Sequence, residues 1–200
     1  RRYFLFENSI KKSKFSKNKT NMRKLIFFIP LISISVLIFM IGAVLIKQNN
    51  FNDKKTVKSV FIDKHFPKES IRLLNSSQII NLNNFKGSSF LVNFFSSWCE
   101  PCKLEAENLE KLSDKINIIG IAYKDKSDDI SKFLNNFGNP YQTIGIDPNG
   151  EIAINWGVYG VPETFLINKN GKVVLRHAGP ITNSVLSSEI LPKIEEAVNE

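Results

Sequence analysis

The chain of 200 residues holds two cysteines, Cys99 and Cys102, both within Ser96-Ser97-Trp98-Cys99-Glu100-Pro101-Cys102-Lys103-Leu104-Glu105. Thiols separated by two residues can supply half of a zinc site, a structural disulfide, or a dithiol that opens and closes in exchange reactions. A staple this short restrains almost no chain entropy, so it stabilises little. Structural zinc needs about four ligands, yet there is no third cysteine, and His65 and His177 stand 112 positions apart. Copper(I) on the two thiolates and His177 is a chemical alternative; redox exchange is the reading the pair itself favours.

Position gives the pair its chemistry. Phe90-Leu91-Val92-Asn93-Phe94-Phe95 is a near-continuous apolar run, the pattern of a strand buried on both faces. Helical spacing begins at Leu104, with Leu109 and Leu112 on one face. The dithiol therefore sits where a strand ends and a helix starts. Unpaired N–H groups and the positive end of the helix dipole favour a thiolate there. Cys99 is expected to point outward as the nucleophile, and Cys102 to release the mixed disulfide as the resolving thiol. Pro101 is tolerated in an opening turn and stiffens it. Trp98 is expected to cover one side of the dithiol. Glu100, as a neighbouring like charge, opposes thiolate formation and biases the pair toward reduction.

The remaining elements follow from periodicity. Ile71–Leu74 and Ile79-Ile80 read as a hairpin around Asn75-Ser76-Ser77, and 116–123 as a second buried strand. Ser127 is expected to cap a helix over 128–137 that Gly138 stops. A strand at 141–146 and a short helix at 151–156 follow. A hairpin then joins 164–168 to 173–177 through Lys169-Asn170-Gly171, and a last helix at 183–198 is interrupted near Pro192. Strands alternating with helices and a closing hairpin predict an α/β domain.

Charge places the domain. Lys and Arg number 27 against 19 Asp and Glu, a formal net charge of +8. Residues 1–24 hold nine basic residues and one acid, whereas 47–200 hold eighteen of each. The basic excess is an N-terminal arm, and no single-sign field remains to attract nucleic acid. Residues 25–46 then run 22 positions without a charge, about 33 Å as a helix at ~1.5 Å per residue. A cleaved leader has an apolar core of only ~7–15 residues. The run is thus expected to be an uncleaved transmembrane signal-anchor, with the N-terminus cytoplasmic and the rest outside. Met22-Arg23-Lys24 reads as an ordinary start for such an anchor, leaving 1–21 as a basic arm or an over-extended start. Residues 47–68 are polar and lysine-rich, a tether; 69–200 suit one domain. Outside the cytoplasm, disulfides form and persist.

Trp98-Cys99-Glu100-Pro101-Cys102 between strand and helix, with Val161-Pro162 far downstream, resembles the thioredoxin fold, a central mixed sheet flanked by helices, here with an N-terminal hairpin extension. A more specific resemblance is to the CcmG/DsbE family, the membrane-anchored thioredoxin-like thiol:disulfide oxidoreductases of cytochrome c maturation. It is carried by Gly120-Ile121-Ala122-Tyr123-Lys124-Asp125, Phe137-Gly138-Asn139-Pro140-Tyr141, Gly157-Val158-Tyr159-Gly160-Val161-Pro162-Glu163-Thr164-Phe165-Leu166-Ile167 and Arg176-His177-Ala178-Gly179. The resemblance covers about residues 60–195. It implies a cis peptide at Pro162 and a redox-active Cys99–Cys102 disulfide with no other cofactor. The implied reaction is reduction of apocytochrome c, or of an associated maturation thiol protein, in the periplasm, so that haem attaches to free CxxCH thiols. A DsbD/CcdA-type transmembrane donor would restore the dithiol. An acidic environment at the family's site maps onto Glu105 and Glu163. Asn93 stands where the general thioredoxin pattern has a buried aspartate; a neutral amide is no base, which leaves Glu163 or Glu105 for proton transfer. A broader TlpA/ResA-like reductase is the nearest rival. A peroxiredoxin is disfavoured by the adjacent second cysteine and the Pro162-Glu163-Thr164 loop.

Overall fold

The computed structural model describes residues 30–43 and 62–199. Two units separate, within Arg1–Lys55 and Thr56–Glu200. In the first, residues 30–43 form helix α1, with Leu37, Ile38 and Phe39 exposed. Among the described residues no helix is long and apolar enough to cross a membrane. The uncharged run 25–46 extends past α1 at both ends, into residues outside those described.

In the second unit, β1 (Ser70–Leu73) and β2 (Ile79–Asn81) make the expected antiparallel hairpin. A 3-10 turn (Leu82–Phe85) leads into β3 (Phe90–Phe95), then α2 (Glu100–Ser113) and β4 (Asn117–Tyr123). Next come α3 (Ser127–Phe137), β5 (Thr143–Asp147), α4 (Glu151–Asn155), β6 (Glu163–Ile167) and β7 (Val173–Ala178). The chain closes with α5 (Asn183–Val185), a π-helical segment (Leu186–Ile190) and α6 (Leu191–Asn199). The sheet order is β2-β1-β5-β4-β3-β6-β7. β3, β4 and β5 run parallel, and the other pairings are antiparallel, so the sheet is mixed as expected.

β3 is interior, and all six of its residues are buried. Alternation sends Phe90, Val92 and Phe94 to one face, among Ile119, Ile121, Trp156 and Phe165, with Ile152 and Ala153 of α4 packed there. Leu91 and Phe95 go to the other face, against Leu109 and Leu112 of α2, Phe133 of α3 and Ile194 of α6. Each such side chain contributes about 1.5–3 kcal/mol by burial. Asn93 shares the α2 face by parity, and its register partners Gly120 and Thr164 do too.

Several expectations shift in detail. α2 starts at Glu100, and Leu104 is exposed; the buried stripe is Cys102, Glu105, Ala106, Asn108, Leu109 and Leu112. Leu104 lies one position off that stripe, which the i, i+3, i+4 geometry of a helix leaves facing water. Ser127 lies inside α3 rather than capping it, and no side chain caps that helix. The last helix is irregular just before Pro192, at the π segment. Residues 62–68, assigned to the tether, join the domain: Ile62 and His65 bridge to Val173 and Lys172, and Phe66 is buried against Phe90 and Trp156.

Candidate active site

β3 delivers the chain to the C-terminal edge of the sheet, where crevices form in α/β folds. Cys99 is the N-cap of α2 and Cys102 lies in its first turn; the two are joined as a disulfide. The Cys99 sulfur accepts the Cys102 backbone N–H at 3.2 Å. A thiolate at this atom would accept the same bond at the positive end of a 14-residue helix. Pro101 occupies the opening turn, where it lacks only a donor the helix would leave unused. Both cysteines are buried, at 3% and 2% exposure, so Cys99 is far less outward than the spacing suggested. Packing by the loop before β6 accounts for this, because the Cys99 sulfur lies 3.4 Å from the Val161 carbonyl oxygen.

The segment ahead of Cys99 is held by three consecutive residues at the end of β4 and just beyond it. The Ser96 hydroxyl donates to Tyr123 O at 2.6 Å, the Ser97 hydroxyl to Asp125 Oδ1 at 2.9 Å, and Trp98 Nε1 to Lys124 O at 3.2 Å. The Ser97 N–H also donates to Asp125 Oδ2. Trp98 leans toward Tyr123, with ring centroids 6.5 Å apart, and remains 59% exposed. It forms an open apolar wall beside the dithiol rather than a cover. Glu100 turns away to Lys103 at 2.6 Å and is largely exposed. The cation and the solvent offset its charge, which weakens the like-charge effect expected from its position.

Val161-Pro162 is a cis peptide, as the fold resemblance implied. Glu163 follows directly, fully buried. One of its oxygens pairs with Arg176 Nε, and the other accepts the Tyr159 N–H at 3.1 Å. Arg176 Nη2 donates to Gly157 O at 2.7 Å, and its guanidinium lies 4.9 Å from the Tyr159 ring centre. The pair thus ties β7 to the 157–163 loop. Both oxygens of Glu163 are engaged there, which fastens the loop to β7.

Glu105 is buried as well, on the same stripe of α2 as Cys102 and one turn on. Asn93 Nδ2 donates to its Oε1 at 3.0 Å, and the Ile181 N–H donates to its Oε2 at 3.0 Å. Asn93 Nδ2 also reaches Thr164 Oγ1 at 3.0 Å, and Asn108 holds Ile181 O at 2.9 Å. Burial pushes the Glu105 carboxyl up to about 7, against the opposing pull of the Ile181 and Asn93 donors. At that value Glu105 is poised to change charge near neutrality.

The structure gathers Trp98, Cys99, Pro101, Cys102, Val161 and Pro162 around one helix start and one loop, with Glu105 on the α2 face of the sheet and Glu163 on the opposite face. Sequence reasoning did not assign roles to Asp125, Arg176, Asn108 or Ile181. Asp125 and Arg176 stand inside the motifs that carried the family resemblance, which was their available signal. His177 pairs with Glu189 at 3.3 Å. Among the described residues, no cluster of three or more His, Cys, Asp or Glu could hold a metal ion.

A dithiol at the head of a helix, beside a cis-proline loop on this sheet, defines a thioredoxin-like thiol:disulfide oxidoreductase. The redoxin family profile matches residues 63–190. A Vibrio cholerae thiol:disulfide interchange protein named DsbE is 34% identical over 181 residues, 90% of this chain and 98% of the relative. The CycY interchange protein of Rhizobium leguminosarum is 47% identical over 117 residues, 58% of this chain and 63% of that relative. A crystal structure of a DsbE interchange protein from Chlorobium tepidum superposes with a TM-score of 0.55 at 28% identity, over 68% of this chain and 99% of that one. The chain belongs to the redoxin family and, within it, to the CcmG/DsbE thiol:disulfide interchange proteins.

Proposed function

We propose that the chain is a membrane-anchored periplasmic reductase that keeps the CxxCH thiols of apocytochrome c, or of an associated maturation thiol protein, reduced for haem attachment. The observation that carries the reading is the Cys99 sulfur at the head of α2, in contact with the cis-proline loop of the Gly157–Ile167 motif. In the reaction, the Cys99 thiolate attacks a substrate disulfide, forming a mixed disulfide and expelling one substrate thiolate. Cys102 loses its proton to Glu105 and attacks the Cys99 sulfur, expelling the second thiolate. Two electrons pass to the substrate, the Cys99–Cys102 bond closes, and the expelled thiolates take up the protons. A DsbD/CcdA-type transmembrane donor then reopens the disulfide. The uncharged run 25–46, after nine basic residues, supports an anchor in the bacterial inner membrane with the N-terminus cytoplasmic.

The test is a Cys99→Ser strain. The reading predicts loss of c-type cytochromes and their recovery when a small thiol reductant is supplied outside the cytoplasm. Normal c-type cytochromes in that strain, with defects in other exported thiol proteins, would replace it with the broader reductase reading.

A further inference from the structure

Glu105 is held by an amide whose orientation is itself held. Tyr141 O–H donates to Asn93 Oδ1 at 2.8 Å, deep in the core. Burial keeps that phenol well above its ordinary range, and the charges of Glu105 and Glu110 add to this, so it stays a protonated donor. An Asn amide has an acceptor end and a donor end. With the phenol donating to Oδ1, Nδ2 must face Glu105 Oε1 and Thr164 Oγ1, each at 3.0 Å. A flipped amide would turn its oxygen onto the carboxylate.

The sheet is cut to admit this phenol. Gly120 is the register neighbour of Asn93, and a Cβ there would meet Tyr141 Cγ and Cδ1 at 2.8 Å. The Tyr141 ring occupies that space and stacks on Phe95, with centroids 4.7 Å apart and planes 21° apart. Gly120 and Phe95 therefore seat the ring so that its hydroxyl reaches one β3 side chain.

We propose that Tyr141 is a positioning residue for Glu105: its phenol locks the Asn93 amide so that Nδ2–H stays on the carboxylate in every turnover. The proposal deepens the reductase reading, on which it rests for the use made of the acid's proton. The other titratable groups around this face are Cys99 and Cys102 on the same helix, Glu110 further along it, and the His177–Glu189 pair joining β7 to the π segment. Glu163 and Arg176 stand in register with Phe94 and Phe165, on the opposite face.

The experiment is a carboxyl ¹³C NMR titration of Glu105 in the full chain in detergent micelles, with the signal assigned by its loss in Glu105→Gln. Tyr141→Phe removes a neutral hydroxyl and no charge. Its Glu105 midpoint should rise by about one pH unit, the effect of weakening one donor to the charged form. Asn93→Ala should raise the midpoint at least as far, and the double variant should rise no further than Asn93→Ala alone. A Tyr141→Phe midpoint equal to that of the parent, or a double variant showing the sum of both shifts, would overturn the lock. The parent chain gives an independent reading should a variant fail to fold. The Asn93 side-chain NH₂ signals should titrate with the Glu105 midpoint, and signals that ignore it would overturn the proposal too. The titration reads the carboxyl itself: a moved midpoint in a chain without reductase activity upholds the lock and removes only the reading it serves.

Discussion

Glu105 couples the chemistry of one residue to the stability of the domain. Its carboxyl is raised from 4.5 to about 7, first by burial, with the Ile181 and Asn93 donors opposing. The folded chain therefore holds this proton more tightly than the unfolded chain does. The group's stabilising contribution is complete below about pH 4.5, is lost as pH climbs from there to about 7, and is constant above. At ~1.4 kcal/mol per unit the loss is roughly 3 kcal/mol. We predict that, with both proteins in the disulfide form, unfolding free energy falls by about that amount more in the parent than in Glu105→Gln as pH rises through this window. Denaturant unfolding at a series of pH values checks it, and parallel curves would contradict it. A value near neutrality suits the proposed proton transfer, since an acceptor there can take a thiol proton and give it back. Little of this was legible in the chain. The resemblance marked Glu105 as an acid of the site, but its burial was hidden, because its partner Ile181 lies 76 positions away with no local mark.

Among the elements, the 157–163 loop and β7 are joined by a buried ion pair with side chains 5% and 1% exposed. Removing one member leaves the other charge buried without compensation, at a cost of about 3–5 kcal/mol. Arg176→Leu should lower the urea midpoint accordingly at an unchanged slope, and Arg176→Leu with Glu163→Gln should regain part of the loss. An Arg176→Leu chain as stable as the parent would show that solvent reaches Glu163. The elements themselves were far more legible than their ties. β3 shows in the sequence because a strand buried on both faces reads as an apolar run, broken only by Asn93. The start of α2 was blurred because a sulfur caps it, and its buried stripe because Glu105 and Asn108 take places where an apolar residue is expected. Residues 62–68 looked like a tether because their bonds to β7 are carried by backbone groups, to which composition is blind.

For the whole molecule, the proposed topology puts charge on one side of a membrane and chemistry on the other. The basic excess lies in residues 1–24, ahead of the uncharged run, while residues 47–200 are balanced. Protease added outside spheroplasts should then remove the dithiol domain, and alkaline carbonate should leave the full chain with the membrane. Release by carbonate, or full protection of the domain, would contradict that topology. The domain's neutral balance offers a partner no broad electrostatic field. In the proposed reaction Cys99 attacks and Cys102 releases, on cytochrome c or its maturation partner. Replacing Cys102 with Ser stops release and leaves the target bound to Cys99, where mass spectrometry of the trapped complex identifies it. The expected product is a disulfide from Cys99 to a CxxCH cysteine of an apocytochrome c, or to a cysteine of a maturation thiol protein. Adducts spread over unrelated exported proteins, or none at Cys99, would contradict it.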